Sequence, residues 1–401
     1  MAKYRHRIPM LLLLAMLLPG CAPAAQPVPP PEAPPMSMQA PSAEDVQPAS
    51  MEQQTKEALS SMTRAQKTAQ LFFVSPEAIL GRSGCVTEAD EALRSAFAAC
   101  PVGGVLLTEG NLQDPEQAKI LLSGLQDMSR DTLDLPVFLG VDEEGGTVAR
   151  ISGTGRFGVD AWPDMASVSS EAEARRIGEE MGSYLRELGF NLDFAPVADV
   201  LTEPENTVVQ RRAFSSDPEA VTKLCAAFSE GLHSKGVLAC YKHFPGHGAT
   251  AEDSHKGMTC SMHTPEELFL LDLPPFRDAA VRDVPFIMVG HITLPNVTRE
   301  MAPASLSYEI TTELLRDELG FQGVAITDSL DMGAITRQYS CAKAAVQAVL
   351  AGQDMLLISQ GFPEAYEAVL EAVDNGTIPQ ARLDEAVERI LRIKLAWQAE
   401  Q

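Results

Sequence analysis

Val137-Phe138-Leu139-Gly140-Val141 runs straight into Asp142-Glu143-Glu144-Gly145-Gly146. An apolar run without polar alternation fits a strand covered on both faces, and the carboxylates and glycines after it read as the loop that ends it. Seven more short apolar runs follow the same plan, at 70–74, 104–107, 191–195, 237–241, 286–289, 324–327 and 355–358. The segments between them have helical spacing. Ala174, Ile177, Met181 and Leu185 share one stripe of 172–188, and 218–234, 266–281, 311–319 and 342–351 behave alike. A last amphipathic stretch, 379–398, carries Leu383, Val387, Ile390 and Ile393 on one side. Eight strands alternating with helices predict an α/β fold, a (β/α)8 TIM-type barrel forming a single catalytic domain. The rival is a doubly wound sheet, but no G-x-G-x-x-G or G-x-x-x-x-G-K-[ST] follows any of the runs.

Outward from the barrel, the N-terminus reads as an address. Lys3, Arg5 and Arg7 precede a short apolar run from Met10 to Leu18, too short to span a bilayer of roughly 30 Å as a helix. Leu18-Pro19-Gly20-Cys21 resembles the lipobox of bacterial lipoproteins, which implies cleavage and lipidation at Cys21. Residues 1–21 are therefore expected to be a signal peptide and lipobox. Residues 22–50, rich in Pro, Ala, Ser and Gln, are expected to be a disordered tether, and residues 51–401 the catalytic barrel. The expected location is the outer face of the cell membrane, with the membrane as a partner through the lipid anchor only.

The formal net charge of −24 argues against nucleic acid as a partner. Six cysteines follow Cys21: Cys85, Cys100, Cys225, Cys240, Cys260 and Cys341. In an exported chain they permit disulfides. Cys85 and Cys100, which flank a polar insertion, are the expected pair, and Cys225 and Cys240 read as packed thiols.

Polar groups gather where the runs end, the catalytic face of a barrel. Asp142, Glu143 and Glu144 follow the third run, Asp199 the fourth, Lys242-His243-Phe244-Pro245-Gly246-His247-Gly248 the fifth, His291 the sixth and Asp328 the seventh. Asp328 taken alone reads equally as a helix cap. The densest segment, 242–255, is expected to be an irregular loop. Its His243, His247 and His255 would suit a metal, yet no H-E-x-x-H helix or Cys pair completes such a site.

Lys242 to Gly248 followed by Asp253-Ser254-His255 closely resembles the signature of family 3 glycoside hydrolases, more narrowly their single-domain β-N-acetylhexosaminidase branch. Val141 to Gly146 matches the V-D-x-E-G-G element, with Arg150 in the place of its following arginine. Arg211-Arg212-Ala213-Phe214 matches R-[SA]-F, and Thr327 to Ala334 matches the nucleophile motif. Thr147, where arginine is frequent, and the insertion between Cys85 and Cys100 depart from the pattern. The resemblance implies a retaining reaction without metal or organic cofactor. Asp328 would be the nucleophile, His255 the acid/base and Asp253 the group that orients it. Asp142, Arg150, Arg212, Lys242 and His243 would hold the sugar. Histidine titrates near neutrality, so it suits a group that alternates between acid and base. The implied substrate is terminal β-linked N-acetylglucosamine, in a glycan or muropeptide. His291 and Asp199 are undecided, and Glu144 is expected to be structural. A family 3 β-glucosidase, an N-acetylglucosaminide phosphorylase and a non-catalytic wall-binding lipoprotein are the alternatives.

Overall fold

The computed structural model describes residues 50–250 and 257–401. The expected signal peptide with Cys21, the tether up to residue 49, and both Asp253 and His255 lie outside the described residues.

All eight apolar runs are strands: β1 (Phe72–Val74), β2 (Gly104–Leu106), β3 (Phe138–Val141), β4 (Leu192–Asp193), β5 (Leu238–Phe244), β6 (Phe286–Val289), β7 (Val324–Thr327) and β8 (Leu356–Ile358). Each pairs in parallel with its sequence neighbours, and β1 also pairs with β8 through Phe72 and Leu356. A parallel bridge between Ile326 and Met355 closes the ring between β7 and β8. The sheet is thus a (β/α)8 barrel, and a doubly wound sheet is excluded.

Side chains alternate across each strand, so one set fills the barrel and the other meets the helices. Phe73, Leu106, Phe138, Phe194, Phe286, Met288 and Ile326 are among the residues packed inside. Phe73 meets Phe194 edge-on at 5.1 Å between ring centres, and Phe138 meets Phe286 at 5.0 Å. The helix Gln380–Ala399 floors this interior with Ile390 and Trp397. Between them, Lys394 holds its ammonium 5.2 Å from the centre of the Phe138 ring and 2.7 Å from Gln70 Oε1, and burial pushes its pKa down to about 7.

The helices start where the sequence provides a cap. Ser170 accepts the Glu173 amide at 3.3 Å and opens Glu171–Leu188, whose Ala174, Ile177, Met181 and Leu185 are buried as the stripe predicts. Two expected helices differ. In place of one helix over 266–281 there is a short turn, a wide turn at Leu268–Asp272, and then Pro274–Val281. Pro274 and Pro275 have no N–H to continue the regular ladder, and the Leu273 amide reaches back to Leu268 at 3.0 Å. Glu309–Glu318 is likewise wide-turned.

The expected Cys85–Cys100 bond is not formed. Cys85 Sγ lies against Gly110, while the Cys100 thiol faces Tyr366 and burial pushes it up to about 12. The insertion between them folds into its own capped helix, Glu91–Ala99, which separates the two. Cys225 and Cys240 are buried, as read.

Candidate active site

Lys242 and His243 belong to β5 rather than to a loop: the strand continues to Phe244, three residues past the expected end at Tyr241. Its register against β6 shifts between Lys242, opposite Met288, and Phe244, opposite Val289. Two residues of β5 therefore face one of β6, a bulge that re-aims a side chain, and His243 is the residue it frees.

Lys242 Nζ lies 2.7 Å from Asp142 Oδ1 and 2.6 Å from Glu144 Oε1. Arg212 clasps Glu144 with both arms, Nε to Oε2 at 2.7 Å and Nη2 to Oε1 at 2.8 Å. Burial works against the Glu144 charge, but these two cations outweigh it and hold the carboxyl well below the usual range. Burial also works against the Lys242 charge, and Asp142 and Glu144 reverse it, so the lysine stays protonated. Arg212 alone would read as a surface ion pair, but it is largely buried and its planar fork fits the carboxylate.

Asp199, after β4, is fully buried and accepts three hydrogen bonds. The His243 amide donates to Oδ1 at 3.1 Å, the His247 amide to the same oxygen at 2.7 Å, and His243 Nδ1 to Oδ2 at 2.7 Å. Desolvation disfavours its charge, and these partners prevail and keep it ionised. His243 Nε2 lies 3.5 Å from Arg212 Nη2. His247 Nδ1 is 2.8 Å from the Thr250 hydroxyl. Gly248 is required here, since a Cβ would fall 1.8 Å from the Val200 carbonyl oxygen.

Asp328 stands at the end of β7, half-buried, with Oδ1 accepting the Ser329 amide at 2.7 Å. Burial opposes its ionisation. His291, His243, the Ser329 amide and Lys242 overcome that and hold its pKa below the usual carboxylate value. His291 Nε2 donates to the Ser329 carbonyl at 2.8 Å, and its Nδ1 lies 2.8 Å from the Ser305 hydroxyl. Asp331, in the same motif, accepts the Ser359 amide at 2.6 Å and ties the β7 and β8 loops together.

The predicted sugar-binding residues Asp142, Lys242, His243 and Arg212 are thus one connected cluster, whose cations also face Asp328. Arg150 is not joined to it. Its side chain is half-buried and makes no ion pair with a described residue, although its neighbours are fixed. The Ile151 and Ser152 amides donate to Glu143 at 2.8 and 2.9 Å, and Tyr184 donates at 2.8 Å. Sequence reasoning left Asp199 undecided and gave no role to Glu143 or to Asp193, which accepts the Glu143 amide at 3.0 Å and so fixes the turn carrying Asp142 and Glu144.

A parallel barrel that presents an ionised, reachable carboxylate at one strand end, beside a fixed polar cluster at others, has the layout of a barrel enzyme's active face. The profile of the Glycosyl hydrolase family 3 N terminal domain matches residues 63–393, and the chain belongs to that family. β-Hexosaminidase A of Pseudoalteromonas piscicida is 34% identical over 321 residues, 73% of this chain and 53% of that protein. The chain thus spans about half the length of that relative. β-Hexosaminidase LpqI of Mycobacterium tuberculosis is 34% identical over 310 residues, 73% of this chain and 76% of its own length. The solved family 3 β-N-acetylglucosaminidase of Paenibacillus superposes with a TM-score of 0.79 at 35% identity, covering 85% of this chain and 64% of that one.

Proposed function

We propose that the chain is a retaining β-N-acetylhexosaminidase that releases terminal β-linked N-acetylglucosamine. The observation that carries this is Asp328: a carboxylate kept ionised and reachable from solvent, with the Lys242–Glu144–Arg212 cluster and His243 on neighbouring strand ends. An ionised carboxylate can attack the anomeric carbon and form a glycosyl–enzyme, with the two half-reactions each passing through a cation-like sugar. Asp142, Glu144, Asp199 and Asp328 together outnumber Lys242 and Arg212, so the site is electrostatically suited to developing positive charge. Buried, mutually paired polar groups discriminate between sugars because an analogue leaves one of them unpaired. His255, oriented by Asp253, gives a proton to the glycosidic oxygen as the aglycone leaves and then takes one from the water that hydrolyses the glycosyl–enzyme. The names of the relatives and of the Paenibacillus structure support the N-acetylglucosamine substrate. The natural setting we propose is peptidoglycan fragments met at the outer face of the membrane, with Cys21 lipidated.

A chromogenic β-N-acetylglucosaminide, assayed beside the β-glucoside, tests the substrate. Activity on the glucoside alone rejects it, and a sugar 1-phosphate formed on adding phosphate assigns a phosphorylase instead. Asp328→Ala and His255→Ala test the roles. Recovery of Cys21→Ala protein from the membrane fraction in wild-type yield would reject the anchor.

A further inference from the structure

Outside the sugar cluster lies a second buried carboxylate. Asp272, at the end of the wide turn Leu268–Asp272, is fully buried, with Oδ2 2.6 Å from His263 Nδ1. Its Oδ1 accepts no hydrogen bond from a described residue. The carboxyl lies flat against Gly246: a Cβ there would fall 2.7 Å from Asp272 Cβ and 3.0 Å from Oδ1. Gly246 is the middle of the turn whose amide donates to the His243 carbonyl at 2.8 Å. The residues bounding that turn, His243 and His247, are the two whose amides Asp199 holds.

We propose that Asp272, steadied by His263, is a positioning residue for the sugar-binding turn, bracing Gly246 while Asp199 holds the amides of His243 and His247. The two carboxylates fix the same few residues, so the direction of the His243 ring depends on both. Burying a carboxylate without a full set of donors is unfavourable, and among the described residues Asp272 has a single side-chain donor, His263. The charged groups facing it are His263, Asp199 and Glu267. Burial raises its pKa to about 6, while its hydrogen bond to His263 raises that of the imidazole.

The test uses Asp272→Asn, His263→Gln and the double variant of the full chain. It compares kcat/KM on a chromogenic β-N-acetylglucosaminide, the thermal midpoint, and the downfield NMR signal of the His243 Nδ1 proton. The expected result is a loss of kcat/KM of about tenfold or more in each single variant, measured on folded enzyme. The double variant should lose no more than the worse single one, because the two residues act as one unit. The His243 signal should shift in both. Wild-type kcat/KM in either single variant, an unmoved His243 signal, or losses that multiply in the double variant would overturn the proposal. Should Asp272→Asn fail to fold, His263→Gln decides by the same criteria. The kinetic arm rests on the glycosidase reading and the imidazole signal does not. An inactive wild type with a shifted His243 signal in the variants would reject that reading and keep the brace.

Discussion

Asp328 reaches its ionised form against its own burial, because His291, His243, the Ser329 amide and Lys242 all favour the anion. Two outcomes follow. Asp328→Ala should lower kcat by a factor on the order of 10³ or more on a chromogenic glycoside while the protein stays folded, since no other group can take the bond to the sugar. The acidic limb of the kcat/KM profile, which reports the free enzyme, should fall below about pH 4, the ordinary carboxylate value. A limb near neutrality that shifts in Asp328→Asn would contradict this assignment. At this level the sequence was legible wherever a residue sat in a dense motif, as Lys242, His243 and Asp328 do. Asp199 was placed at a strand end without a role, and Glu143, Asp193 and Asp272 were given none. These carboxylates act by holding other groups, and in a chain with 55 acidic residues nothing local distinguishes a buried holder from a solvated acid. Only the fold brings Asp199 beside His243.

Strands were the most legible elements, because a run buried on both faces needs no partner to be recognised. The end of β5 was misplaced for a definite reason: Lys242 and His243 are polar, yet they remain strand residues whose polar groups are satisfied by Asp142, Glu144 and Asp199. Their cost of burial is offset by contacts that no periodicity reveals. The segment at 266–281 was misread because its apolar spacing is helical while two adjacent prolines interrupt the hydrogen bonding. The junction of the β4 and β5 loops also carries a prediction. In Gly248→Ala the new methyl would meet the Val200 carbonyl, a backbone atom that has little room to yield. That substitution should cost about 1–3 kcal/mol, seen as a lowered thermal midpoint, and it should reduce activity as well because the same loop leads from His247. A variant with unchanged midpoint and activity would show that the two loops can part freely.

The barrel as a whole is locked from the side opposite its site. Asp354, just before β8, is fully buried and binds three arginines: Arg382 at 2.8 Å, Arg389 at 3.1 Å and Arg316, which reaches its other oxygen. Desolvation opposes its charge and the guanidiniums outweigh it, so its folded pKa is depressed. Its stabilising contribution is therefore complete above the unfolded value of about 3.9 and is lost as pH falls through the lower folded value. Asp354→Asn should cost about 3–5 kcal/mol at neutral pH by leaving buried guanidiniums without their anion, and denaturant melts of the variant should lose part of the wild type's acid sensitivity. Since Arg382 and Arg389 both lie on Gln380–Ala399, the clamp anchors the last helix to the first strand's partner. Phe72 pairs with Leu356, and Met51–Ser61 packs on that same helix. The ring therefore closes between the two ends of the chain. During synthesis β1 has one exposed edge until β8 and the last helix have emerged, so the partial barrel is an intermediate with an open template for pairing. Closure then joins contacts of very high sequence separation, whose loop-closure entropy must be met before they contribute. A chain ending at Asp374 should accumulate as aggregate at yields where the full chain is soluble, the kinetic signature of a ring whose fastener is made last.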